Sequence, residues 1–99
     1  MARFDVYRNP DGAGYLLNIQ ADLLSHLNTR AVVPLLPPDR APKPARRLNP
    51  EFEIGGENIV MVTQFIAAVP TSDLPVTITN LAHRSNEIVN ALDMLISGF

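Results

Sequence analysis

The apolar residues of this chain change their spacing once, at Asn80, and that change sets what the chain can fold into. Upstream, Phe4 and Val6, then Leu17 and Ile19, follow the two-residue period of a half-buried strand. Downstream the period is helical. With Ile88 at the origin of a wheel of about 100° per residue, Leu81, Leu92, Leu95 and Phe99 fall within about 40° of it. Val89 and Ile96 flank that stripe, His83, Asn86, Asn90, Asp93 and Ser97 lie opposite, and Met94 stands near the boundary. Several strands followed by one amphipathic helix predict a mainly β fold with a C-terminal α-helix laid over the sheet. The helix is expected to run for roughly 16 residues, with Thr79 or Asn80 as its N-cap and Gly98 as its stop.

The strand region divides at turn residues. RFDVYRNPDGAGYLLNIQA reads as a hairpin, with Pro10 presetting φ and Gly12 and Gly14 permitting positive φ between the arms. Asp22 to Asn28 reads as one irregular or short helical turn. TRAVVPLL is a third strand whose Pro34 lacks an N–H and belongs at an edge or a bulge. EFEIGGENIVMVTQF is a second hairpin, Phe52 and Ile54 alternating with Glu51 and Glu53 around a Gly55-Gly56 turn. AAVPTSDLPVTI is a pair of short, proline-punctuated segments. Between the hairpins, Pro37, Pro38, Pro42, Pro44 and Pro50 exclude helix and central strand. That loop is expected to be exposed, and it carries Arg40, Lys43, Arg46 and Arg47. Ninety-nine residues without repeat or linker predict a single domain over 1–99.

Composition removes several function classes. There is no cysteine, hence no disulfide, thiolate nucleophile or cysteine-ligated zinc. A net charge of −2 gives no overall electrostatic footprint for nucleic acid. No apolar run approaches the roughly 18 residues of a membrane span, and MARFDVYRNPDG lacks the apolar core of a signal peptide. These features predict a cytoplasmic protein that does not engage membranes.

The residues that bear chemistry form no catalytic constellation. His83 has Glu87 one helical turn on, but zinc needs three or four ligands and no third is evident; a surface His–Glu pair is the simpler reading. His26 is followed one turn later by Thr29 and Arg30, poor metal ligands. Glu51 and Glu53 share a strand face without the pocket that general acid–base work requires. Nucleophile motifs, phosphate loops and dinucleotide fingerprints are absent. The expectation is a binding protein that is not an enzyme and carries no cofactor or metal. Leu23-Leu24, beside Asp22, either plugs the end of the sheet or joins the helix tail in an apolar contact patch.

The segments FDVYRN, IQADLL, TRAVVPL, EIGGENIVMVTQFIAAVP and LAHRSNEIVNALDML together resemble the CcdB family of toxins, nearly end to end. The family reads close to VQSDII and RRMVIPL at the second and third of these, and its helix start is LSHRENDI-like. The resemblance implies an SH3-like barrel or antiparallel sheet of the CcdB–MazF type, homodimeric. It implies a toxin that poisons DNA gyrase by binding the dimerisation region of gyrase A. It further implies a cognate CcdA-like antitoxin with a disordered segment that wraps and neutralises the toxin.

Gyrase contacts carry over by matching position. The family's apolar pair falls on Leu23 and Leu24, its helix asparagine on Asp93, and its terminal Phe-Trp-Gly-Ile on Ile96, Ser97, Gly98 and Phe99. The tryptophan is replaced by Ser97, which points about 180° from the core stripe. Two alternatives accompany this reading. One is a diverged homologue with another target or with antitoxin binding alone. The other is a MazF-like endoribonuclease, for which Arg46, Arg47, His83 and Arg84 would be the candidates.

Overall fold

A computed structural model describes residues 2–74 and 76–98. Its strands are β1 (Asp5–Arg8), β2 (Tyr15–Asn18), β3 (Thr29–Leu36), β4 (Glu51–Ile54), β5 (Glu57–Met61), β6 (Ala67–Pro70) and β7 (Thr77–Asn80), followed by helix α1 (Ser85–Ser97). Every ladder is antiparallel, in the order β4-β5-β3-β2-β1-β7, with β6 joined to β3 at the side. Among the described residues β4 and β7 do not pair, so the sheet is an open half-barrel with α1 packed on it.

Both expected hairpins form. In the first, Val6 faces Leu17. Gly14 is required at its position: its φ is +84°, and a Cβ there would lie 2.1 Å from the Leu35 carbonyl oxygen. In the second, Gly55 and Gly56 take φ of +61° and +83°, as a two-residue turn of right-handed twist demands. Phe4, just before β1, is left-handed at φ +72° although it carries a buried aromatic side chain. Two hydrogen bonds hold it there: its N–H donates to Asn18 O at 2.7 Å, and its carbonyl accepts from Leu81 N at 3.0 Å.

β3 is an interior strand, so Pro34 is not at an edge. It sits where the partner on one side of β3 changes. Residues 29–32 pair with β6, and Leu35 and Leu36 pair with β5. The Pro34 carbonyl accepts from Val62 N at 2.9 Å across this joint. N–H and C=O of one residue face the same neighbour in a ladder, so the missing donor points into the gap, where no strand needs it.

The core follows the pleat. Val6, Leu17 and Val33 face α1, which seals them with Ile88 and Ala91, joined by Leu81 ahead of the helix. Their sequence neighbours Tyr7, Leu16 and Val32 point the other way and are covered by Leu74. The buried residues of α1, Ile88 and Ala91, both lie in its first half: Leu92 and Leu95 are half-buried, and Ile96 is 76% exposed. The buried stripe therefore fades before the helix ends, and the position predicted for Phe99 lies outside the described residues.

The helix also begins later than periodicity suggests. A 3-10 turn, Ala82–Arg84, precedes Ser85, so regular helix covers 13 residues. Neither Thr79 nor Asn80 is an N-cap: both belong to β7, the 3-10 turn is entered through Leu81 and α1 through Arg84, and Asn80 accepts from Ala82 N at 2.7 Å. Gly98 is the C-cap as expected, its N–H donating to Met94 O. The proline-rich loop is exposed from Pro42 to Arg47, but its end is anchored. Buried Asn49 donates to Met61 O at 3.0 Å and to Gln64 Oε1 at 2.8 Å.

Candidate binding surface

The residues carried over by resemblance lie on two projections from this frame. The first is the 3-10 turn Asp22–Leu24, which follows β2 and buries none of its own residues. Leu23 is 88% exposed and Leu24 42%. Neither belongs to a buried cluster, so they do not plug the sheet. The second is the tip of α1, where Asp93, Ile96, Ser97 and Gly98 are all exposed. Phe99 lies outside the described residues. No hydrogen bond joins the two projections among the described residues.

Further apolar groups that sequence reasoning does not single out are also exposed. Leu27 follows the 3-10 turn, and Phe65 and Ile66 lead into β6. A signal for them exists: apolar side chains in segments without a strand or helix period have no core face to occupy. A separate cleft of about 500 Å³ lies at the far end of the sheet, between Arg8, Asn9 and Pro10 of the first hairpin and Asp73, Val76 and Ile78. Ile78 is exposed because β7 is an edge strand whose outer face stays open.

The chemical candidates are placed apart or already engaged. Glu87 pairs with Arg84, not with His83: Arg84 Nη2 donates to Glu87 Oε2 at 2.8 Å, and Nε donates to Oε1. The mutual hydrogen bond raises the Arg84 pKa and lowers that of Glu87. The Arg84 guanidinium also stacks 4.7 Å from the Phe52 ring centre and donates to Glu51 O at 3.2 Å. His83 is one residue away and exposed. Arg47 does approach the helix, lining a cleft of about 270 Å³ with Pro50, Glu87 and Asn90. Arg46 is exposed on the loop. Among the described residues no group of three or more His, Cys, Asp or Glu could hold a metal ion. Among them, too, no helix is long and apolar enough to cross a membrane.

The buried Asp5 carboxylate serves the frame. The Asp5 carboxylate accepts from Ala2 N at 2.8 Å, Asn80 Nδ2 at 2.8 Å and Thr77 Oγ1 at 3.3 Å. Burial alone would raise its pKa, but these donors outweigh burial and lower it. Among the described residues every buried side-chain polar atom has a partner.

The frame is an open antiparallel half-barrel covered by a C-terminal helix, with unpacked leucines beside it. The CcdB protein family profile matches residues 3–98, and the chain belongs to the CcdB family. Its fold is also similar to that of an endoribonuclease solved in complex with its cognate antitoxin, from a mycobacterial species. That likeness has a TM-score of 0.73 at 16% identity and covers 95% of this chain and 92% of the other. At such identity it concerns the fold.

Proposed function

We propose that this chain is the toxin of a type II toxin–antitoxin pair, a non-enzymatic poison of DNA gyrase that acts by binding gyrase A. The observation that carries the reading is the Leu23-Leu24 turn. A leucine 88% exposed, on a turn none of whose own residues is buried, does no work in the isolated fold and suits a contact surface. It stands where the family places its apolar gyrase contacts. The exposed helix tip, Asp93 and Ile96 to Gly98, supplies the second contact, with Phe99 beyond it. A cognate antitoxin of the CcdA type neutralises the protein, which works as a cytoplasmic homodimer.

The test is a supercoiling and cleavage assay with purified gyrase. Accumulation of gyrase-cleaved DNA supports the reading, and no inhibition at high micromolar protein sinks it.

A second reading is favoured by one observation, the shared fold with an endoribonuclease. Against it, Arg84 is occupied by Glu87 and Phe52, and the His83 side chain makes no hydrogen bond among the described residues. Cleavage of RNA by the purified chain alone would establish it; fold by itself does not carry activity.

A further inference from the structure

The segment from Asp22 to Thr29 displays three leucines to solvent, Leu23, Leu24 and Leu27, at 88%, 42% and 41% exposure. None of residues 21–29 is buried. A segment with so little apolar anchorage belongs to the low-stability end of a protein and should open locally. Its restraints are polar and reach it from the strands behind.

Arg30, the second residue of β3, is only 5% exposed. Its Nη1 donates to Leu27 O at 2.6 Å and to Thr29 O at 2.8 Å, and its Nη2 donates to Ser25 O at 2.8 Å. Three backbone carbonyls of one short segment thus converge on one buried guanidinium. Gln20 adds a fourth restraint: its Nε2 donates to Leu24 O at 3.1 Å, while its Oε1 accepts from Ala31 N at 3.0 Å. Asp22 Oδ1 accepts from Arg3 N at 2.8 Å and ties the start of the turn to the N-terminal segment.

A buried cation is a costly way to stabilise a strand, and an apolar side chain at that position is often at least as stabilising. What the guanidinium supplies is a planar fork that fixes several acceptors at once, which a lysine ammonium does not match. Fixing a recognition loop before binding removes part of the ordering cost of the complex.

We propose that Arg30 is a positioning residue for partner recognition: its buried guanidinium holds residues 22–29 in the shape that presents Leu23, Leu24 and Leu27 together. Leu27 thereby joins the contact surface, although no motif carried it over. The inference rests on the gyrase reading for the identity of the partner, but not for the bracing itself.

Amide hydrogen exchange, thermal unfolding and calorimetric titration with the dimerisation fragment of gyrase A test this on the full chain, Arg30→Lys and Gln20→Glu. The informative amides are Leu24, Ser25 and Leu27, which donate to Ala21, Asp22 and Leu24 carbonyls. In Arg30→Lys their exchange should rise at least about tenfold, while Leu17, Val33 and Leu35 in the sheet change less than about twofold. Affinity for the fragment should fall at least about tenfold, as it should for Leu27→Ala. Gln20→Glu keeps the acceptor for Ala31 N, loses the donor to Leu24 O, and should show the same pattern more weakly. It also decides the matter if Arg30→Lys does not fold.

Unchanged exchange in the segment overturns the bracing. A uniform rise across the sheet with a lowered Tm assigns Arg30 to the fold alone and overturns it too. A loosened segment with full affinity overturns the link to recognition. A wild-type chain that does not bind the fragment refutes gyrase as the partner, while the exchange pattern still decides the brace.

Discussion

Asn80 joins Asp5 across 75 residues of sequence: its Nδ2 donates to the Asp5 carboxylate at 2.8 Å. The same side chain donates to Arg3 O at 3.1 Å and accepts from Ala82 N at 2.7 Å. One amide therefore ties the first strand to the last and starts the turn that leads into α1. Asn80→Ala leaves the Asp5 carboxylate short of a donor and the Ala82 N–H without its acceptor. The expected loss is about 2 kcal/mol, measurable by urea unfolding.

The Asp5 carboxylate makes stability depend on acid. Its pKa in the fold lies below its ordinary 3.8, because donors from Asn80, Ala2 and Thr77 outweigh burial. A depressed carboxylate stabilises the fold fully above its unfolded pKa, and that contribution is lost as pH falls through the folded value. The urea midpoint should therefore drop below about pH 3.8, and Asn80→Ala should flatten that drop. Glu87 shifts the same way but its side chain is 50% exposed, so it should contribute little.

Gly14 and Gly55 should respond differently to substitution although both have positive φ. A methyl group at Gly14 meets the Leu35 carbonyl, whereas at Gly55 it meets open space. Gly14→Ala should cost at least about 3 kcal/mol. Gly55→Asn, which suits a two-residue hairpin turn, should stay within about 0.5 kcal/mol of wild type. Thermal unfolding of the two variants side by side distinguishes them.

Leu23 separates folding from recognition. It is 88% exposed, so Leu23→Asp should leave unfolding free energy within about 0.5 kcal/mol. If gyrase is the target, titration with the gyrase A fragment should show a fall in affinity of at least about tenfold. Equal affinity for the two proteins would remove this turn from the contact surface.

Ser97 is exposed on the outer face of α1, where the family carries tryptophan. If gyrase is the target, Ser97→Trp restores an aromatic anchor of roughly 2 kcal/mol, or about thirtyfold in affinity. Growth after induction and the cleavage assay both read the change. A variant that folds and binds antitoxin but gains neither toxicity nor affinity places the divergence elsewhere.

Much of this architecture is legible in the sequence because it is local. The alternation of Phe52 and Ile54 with Glu51 and Glu53 is the buried and exposed pattern of β4, and Gly55-Gly56 is its turn. The switch of period at Asn80 is the boundary between sheet and helix. Long-range pairing is not written in any short window. That Pro34 tolerates an interior strand depends on β6 and β5 meeting beside it, and the sequence near residue 34 knows nothing of residues 60–70.

The ion pair departs from its sequence pattern: Arg84, stacked on Phe52 of the sheet, holds Glu87 where the spacing suggested His83. At the surface, periodicity cannot decide the exposure of Leu23 and Ile96, since an apolar residue can be core or contact until its neighbours are known. Arg30 carries no signal of its role, because a lone basic residue in a strand suggests a solvated edge. Two of its three carbonyl partners, Ser25 and Leu27, come from the fold of the preceding segment.

The proline-rich loop leaves β3 at Leu36 and returns at Glu51 as β4; β3 is bonded not to β4 but to its hairpin partner β5, Leu35 facing Met61 and Leu36 facing Val60. Arg46 and Arg47 are exposed within it. The connection between the two halves of the chain is therefore redundant with the sheet. A protease that cuts there would leave two fragments held as one body, and new chain ends could be opened at the same place without parting β3 from β5.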